Sequence, residues 1–360
     1  MFLQLEYLQA LEEASPENIQ WFYIGVFKDN ILVGVAIVQR VQLYLKDIFR
    51  QTKISCVKTF FQDVVSKVLK GNILVVGNLT HTGQHGIFFN KEIISQTQFF
   101  NLVFSALSEI KTIIKINQKK NIRAIMLKDY FEDDSIHNEK DIFNAVKLHK
   151  VFVQPNMLFS MQPEWLKMED YTASLTKKYR DRYKRARKKL NAIKSIELSL
   201  DDIKRHTADL HALYMNVSNN AQFNTFLLPE NHFYSLKRQL QNRFKVYGYY
   251  LKDTLVGFYT LILNNEELET YFLGYDEEHQ YPNQLYLNML YDMLNFGIDN
   301  KFKTIVYART AMEIKSSVGA EAKQMVVYMK HTNGFLNAIL KQLFKLMNPS
   351  QDWEERHPFK

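Results

Sequence analysis

Residues 307–319, Tyr-Ala-Arg-Thr-Ala-Met-Glu-Ile-Lys-Ser-Ser-Val-Gly, place Arg309, Glu313, Lys315, Ser316 and Ser317 directly after a predicted strand. In an α/β chain, binding and catalytic side chains concentrate in loops at strand ends. The plain structural reading is that Arg309 and Glu313 pair across one helical turn while Lys315 faces solvent.

A second chemical signal is charge. Nine of the thirteen residues from Lys177 to Lys189 are Lys or Arg and one, Asp181, is acidic, so this segment carries the whole net charge of +8. Tyr179, Tyr183, Ala186 and Leu190 recur at helical spacing and form one apolar stripe, expected to pack in the core, with Ser174 as the expected N-cap. On the other faces, like charges stand four apart at Lys178 and Arg182, Arg180 and Lys184, and Arg185 and Lys189. Each such pair costs roughly 0.2–0.5 kcal/mol in an isolated helix, so the excess points to a polyanionic partner.

Other patterns exclude chemistry. The twelve glycines form neither G-x-G-x-x-G nor G-x-x-x-x-G-K-[ST], and there is no G-x-S-x-G elbow. His81 and His85 flank Gly83 without the glutamate of H-E-x-x-H, which reads as a glycine turn rather than a zinc site; no metal is expected. His206 and His211 read as surface helix residues. The acidic stretch from Asp129 to Asp141 lacks a calcium-loop pattern and reads as a solvated connection. A single cysteine, Cys56, allows no intramolecular disulfide and suits a reducing compartment. With no apolar run approaching the ~18 residues of a membrane helix and no visible secretory signal, a soluble cytoplasmic chain is expected.

The elements that must carry these residues repeat. At 360 residues with 46% hydrophobic content, two folded domains are expected. Residues 21–39 alternate around Lys28-Asp29-Asn30 as a hairpin, and residues 246–263 do the same around Lys252-Asp253. Each is followed by an amphipathic helix leading into a short strand, at 99–116 and 121–127 in the first half and at 285–298 and 302–307 in the second. Two copies of one α/β unit with a mixed sheet are therefore predicted: residues 1–158 and 159–360, joined by a linker around Gln154-Pro155 to Pro163.

The basic helix (175–190), the hairpin ending Leu255-Val256-Gly257-Phe258, the helix from Asn283 to Lys301 and the loop 307–319 with its K-x-x-x-G occur in this order. In that order they resemble tandem GNAT-type acyltransferases of the FemAB-like, peptidoglycan biosynthesis/recognition branch. The resemblance is clearest over 165–335. It implies a twisted mixed sheet splayed to admit an acyl donor, acyl-CoA in GNAT enzymes or aminoacyl-tRNA in FemAB-like ones. The acceptor would be an amine on a small molecule or peptide, such as a cell-wall precursor. CoA-binding members carry Q/R-x-x-G-x-G/A where this chain has the acidic, glycine-free 275–284.

On this reading Lys315 stabilises the developing oxyanion or a nearby phosphate. Tyr271 and Tyr275 are candidates for proton transfer to the leaving group, and Glu313 accepts the amine proton or orients Arg309. Arg180, Lys184, Arg187, Arg309 and Ser316 hold phosphates or substrate. The rival reading is a noncatalytic GNAT-like module whose basic face binds RNA, a nucleotide-sugar or an anionic membrane surface.

Overall fold

Asp29 and Asn30 both have positive φ (49° and 63°), and they join β1 (Ile19–Lys28) to β2 (Ile31–Leu43) in a two-residue turn whose twist matches the antiparallel pair. The computed structural model describes residues 1–43, 71–220, 224–347 and 353–360, so Cys56 lies outside the described residues. Ahead of the hairpin stands α1 (Leu5–Glu13). After it come β3 (Gly71–Val76), β4 (Ile87–Phe89), α2 (Gln96–Gln118), β5 (Ile122–Phe131), α3 (Lys140–Ala145) and β6 (His149–Ser160).

The second half begins with α4 (Met168–Ser174), α5 (Lys177–Leu190), β7 (Ile193–Glu197), α6 (Leu200–Arg205), α7 (Thr207–Asn220) and α8 (His232–Leu240). It continues through β8 (Phe244–Leu251), β9 (Thr254–Asn264), β10 (Glu267–Tyr275), α9 (Glu277–Asn283), α10 (Leu285–Asp299), β11 (Thr304–Ala308), α11 (Met312–Ser316), β12 (Glu321–His331) and α12 (Gly334–Met347).

The predicted duplication is present. The hairpin β1–β2 and then β3, α2 and β5 correspond to the hairpin β8–β9 and then β10, α10 and β11, with β3 parallel to β5 and β10 parallel to β11. Ser95 caps α2 in a reciprocal box with Gln98, and Phe99, Phe100, Val103, Leu107 and Ile114 bury one face of that helix. Each such side chain contributes roughly 1.5–3 kcal/mol by leaving water.

β5 and β11 also bulge at equivalent places. Lys128 and Asp129 together oppose one residue of β12, with Asp129 at φ 62°, and Tyr307 is the extra residue of β11 against β6, with Ala308 at φ 58°.

The halves do not stand side by side as closed units. The sheet runs β1-β2-β3-β5-β12-β6-β11-β10-β9-β8-β7, so the strand after β5 pairs with β11 and the strand after β11 pairs with β5. β6 and β12 pair with each other at the centre. Each half completes the other's sheet.

The linker expected at 154–163 is therefore strand as far as Ser160, and the 158/159 boundary falls inside β6. Pro155 is tolerated because the register against β12 shifts there, between Val153 and Asn156, where Gln324 Nε2 donates to the Val153 carbonyl instead (2.7 Å). The acidic connection is corrected at its first residue, since Asp129 is fully buried.

α5 starts two residues later than expected. Thr176 is its N-cap, and Ser174 closes α4 by donating to the Tyr171 carbonyl (2.7 Å). Its apolar stripe packs as predicted: Tyr179 and Ala186 are buried, and Tyr183 meets Tyr291 of α10 edge to face at 4.9 Å. Among the described residues, no helix is long and apolar enough to cross a membrane.

Candidate active site

Parallel pairing of β10 with β11 ends at Glu269 opposite Val306, and a last hydrogen bond runs from Thr270 Oγ1 to the Val306 carbonyl (3.0 Å). Beyond it the strands part. β10 bulges at Tyr271–Phe272, where Thr260 Oγ1 donates to the Phe272 carbonyl (2.7 Å), and the rest of β10 keeps β9 but, among the described residues, has no strand on its other edge. β11 ends in a run of positive φ at Ala308, Thr310 and Ala311 that turns the chain into α11.

A cavity of about 390 Å³ opens between them. Tyr271 and Leu273 of β10, Tyr214 and Ser218 of α7, Tyr286 and Leu290 of α10, the turn 307–310, Lys315, and Thr80–Thr82 of the first half line it.

Lys315 lies at the floor of this split, 4% exposed. Its Nζ donates to the carbonyls of Arg309 (2.6 Å) and Ala308 (3.3 Å), and among the described residues it meets no carboxylate. Burial alone pulls its pKa down to about 7. The exposed lysine of the plain structural reading is thus a buried amine at a cavity wall.

The other half of that reading is also corrected. Arg309 pairs with Asp129 of β5 rather than with Glu313, and Asp129 also pairs with Lys128. Burial opposes charge on Asp129, but the two cations hold its carboxyl below the usual range. Glu313 is exposed on α11 and pairs with Arg356. Ser316 is buried, donating to the Glu313 carbonyl (3.0 Å) and accepting from the Arg356 amide (3.0 Å), so it ties down the C-terminal segment and does not line the cavity.

Tyr271 is enclosed at the cavity wall, its hydroxyl 3.0 Å from His232 Nε2 and its ring stacked on His81 at 5.4 Å. Burial pushes its pKa up. Tyr275 stands outside the cavity lining, half-buried against Tyr286.

Sequence reasoning missed the first half's contribution. His81, 5% exposed, reaches across to Glu269 (Nε2 to Oε2, 3.3 Å), and His85 lies 3.8 Å from the other carboxylate oxygen. Burial drives both imidazoles to about 3, with Lys128 adding to the effect on His81 and His81 adding to that on His85, while burial lifts Glu269 to about 7. Among the described residues these three form the group able to hold a metal ion, their donor atoms all within 4.8 Å of one another. The H-x-x-x-H spacing around Gly83 was the available signal.

The basic helix divides into two faces. Arg187 turns inward to Asp292 and Asn288 of α10, which makes it a structural cation. Lys184 is exposed and Arg180 half-buried, and neither lines the 390 Å³ cavity or the second cavity beside this helix. Lys178, Arg182 and Arg185 line a second cavity of about 550 Å³ with Tyr179, Trp353, Arg356 and residues 311–314. α11 thus separates the two cavities, Lys315 on one side and Glu313 on the other.

Residues 177–316 match the family model described as an acetyltransferase (GNAT) domain. The crystal structure of FemX superposes with a TM-score of 0.55 at 10% identity over 94% of each chain. Residues 177–316 are thus similar to a GNAT domain, and the chain as a whole shares the fold of FemX. Two further solved structures match at TM-scores of 0.49 and 8% identity. The tandem GNAT protein of the clavulanic acid biosynthesis pathway is matched over 90% of this chain and 86% of its own, and L-PGS from Bacillus licheniformis over 94% and 95%. No curated protein matches. The matched GNAT domain runs from the first residue of α5 to the last of α11, so it contains both cavity walls of the second half together with Arg180, Lys184, Arg187, Tyr271, Tyr275, Arg309, Glu313, Lys315 and Ser316.

Proposed function

We propose that the chain is an N-acyl- or aminoacyltransferase that joins an acyl group to an amine in the cavity between β10 and β11. The observation that carries this is the buried Lys315 amine at the point where the two strands separate, beside an unpaired edge of β10.

Amide formation needs a neutral amine to attack the acyl carbonyl, stabilisation of the resulting oxyanion, and a route for the amine proton to the departing oxygen or sulfur. The C–N bond forms as the bond from carbonyl carbon to leaving group breaks. The unpaired edge of β10 offers backbone amides, which act strongly in a water-poor split. Lys315 in its ammonium form supplies a cation for the oxyanion or a neighbouring phosphate. Tyr271, fixed by His232 and by stacking on His81, positions the reacting groups.

The donor is a polyanion. Asp276, Glu277 and Glu278 crowd the N-terminus of α9, where a pyrophosphate would otherwise meet backbone amides, so this terminus does not fit the pyrophosphate of acyl-CoA. Lys178, Arg182, Arg185 and Arg356 instead give a cationic cavity, and an aminoacyl-tRNA end fits this charge distribution better. Transfer assays with acetyl-CoA and with charged tRNA as donors test the reading. Turnover from either donor that Lys315→Met removes supports it, and salt-sensitive binding without turnover favours the noncatalytic polyanion module.

A further inference from the structure

The transfer chemistry above leaves His81, His85 and Glu269 unused. The loop that carries the two histidines is built to bring them together. Gly83 sits at φ 110°, which doubles the chain back, and a Cβ there would stand 2.6 Å from His85 Nε2. The loop is anchored on β5, with the Gly83 amide donating to Asp129 (3.1 Å), Lys128 Nζ to the His81 carbonyl (2.6 Å) and Gln84 Nε2 to the Tyr130 hydroxyl (3.4 Å).

Three observations point to a cation-binding cluster. Glu269 is 2% exposed, and among the described residues the groups within pairing distance of its carboxylate are these two imidazoles. The buried Glu269 carboxyl and His81 Nε2 face each other at 3.3 Å, both atom types that ligate transition metals. His81 Nδ1 is buried with no hydrogen-bond partner, so no fixed acceptor sets the tautomer that keeps Nε2 protonated.

The geometry is near that of a coordination sphere. Ligands in tetrahedral array around zinc stand roughly 3.3 Å apart given metal–ligand distances of about 2.0–2.1 Å. The contacts from Glu269 to His81 and His85 are 3.3 and 3.8 Å, and closing the set asks His85 to give up its Nε2 contact with the Thr82 carbonyl (3.0 Å). Phe2 covers the outer side, its ring centroid 4.5 Å from that of His81 and 4.1 Å from that of His85. His81 and Glu269 also line the 390 Å³ cavity, which leaves a fourth position facing it.

We propose that His81, His85 and Glu269 form a transition-metal site with an open coordination position toward the cavity. Two imidazoles and one carboxylate suit Zn²⁺ and its first-row neighbours rather than Mg²⁺ or Ca²⁺. The proposal stands on ligand geometry and does not rest on the transferase reading.

Chelator-stripped full-length protein is titrated with Zn²⁺ by calorimetry and with Co²⁺ by visible absorption. The expected result is one equivalent bound, an intense d–d band of four-coordinate cobalt, and affinity at least 100-fold weaker in His85→Ala and in Glu269→Gln. His206→Ala with His211→Ala serves as the control and leaves binding unchanged. Absence of saturable binding in the wild type at 100 equivalents of metal overturns the proposal whatever the variants do. So does a site whose affinity and cobalt spectrum persist in both ligand variants, provided circular dichroism shows them folded.

Discussion

Arg309, on the turn after β11, and Asp129, in the bulge of β5, form an ion pair that ties the two halves of the chain together beside the cavity. Asp129 is fully buried and answers two cations, Arg309 and Lys128. Removing the carboxylate strands both. Asp129→Asn is expected to cost about 3–5 kcal/mol, the usual penalty for an orphaned buried charge, whereas Arg309→Met leaves Asp129 with Lys128 and costs less. Urea unfolding of the two variants checks this order, and equal or reversed losses would contradict it.

Lys315 should be visible in the pH dependence of both rate and stability. Its amine titrates near 7 in the folded chain against 10.5 for a free lysine. Between those values the unfolded chain holds a proton that the folded chain lacks, so this group makes stability rise with pH above about 7 and weigh most against the fold below it. Thermal unfolding from pH 6 to 10 should show a steeper rise for the wild type than for Lys315→Met. If the ammonium acts on the oxyanion, kcat/KM falls above about pH 7 through one ionisation that the variant lacks; a rise through the same pH would assign the neutral amine instead.

The two faces of α5 should separate in experiment. Arg187→Glu breaks the pair with Asp292, whose other oxygen accepts from the Tyr249 hydroxyl, and is expected to lower the unfolding midpoint. Arg182→Glu with Arg185→Glu should leave the midpoint nearly unchanged, since neither has an acidic partner among the described residues. Binding of tRNA by that variant should weaken, and its log K against log salt slope should fall by roughly 1–2 units, one per lost phosphate contact. An unchanged slope would move the polyanion elsewhere.

Gly274 has no room for a side chain. A Cβ there would meet the backbone of Leu213 and Tyr214 in α7 at 2.4–2.6 Å, and those atoms cannot rotate away. Gly274→Ala is expected to cost about 1–3 kcal/mol and to displace the α7 wall of the cavity, reducing transfer. Gly334→Ala, with nothing within 4 Å of the new methyl, is the control. Equal unfolding midpoints for the two would refute the packing argument.

Local signals explain what was legible in the sequence. Both hairpins, both crossover helices and the apolar stripe of α5 follow from alternation, helical spacing and two-residue turns, and each stands where those predict. The segment 307–319 does follow a strand, β11, but its pairing differs from the expectation: the positive-φ run at 308–311 turns Lys315 inward and leaves Arg309 free to reach Asp129, 180 residues away in sequence. Helical spacing alone suggested Arg309 with Glu313. The His81–Glu269 contact spans 188 residues and depends on the fold bringing a first-half loop onto β10. The exchange of β6 and β12 leaves no local trace, because each strand alternates as it would if it had stayed in its own half. Pro155 misled for the same reason, since only the central bulge shows why a proline is tolerated there.

Amide formation at the β10–β11 split is the central claim, and a transfer assay tests it most directly. Wild-type protein and Lys315→Met, matched for folding by circular dichroism, are incubated with amine acceptors and either acetyl-CoA or aminoacyl-tRNA, and product is followed by mass spectrometry. The account predicts turnover by the wild type with at least one donor and a loss of at least 100-fold in the variant, with donor binding retained. Equal turnover in the two proteins would remove the chemistry from this cavity.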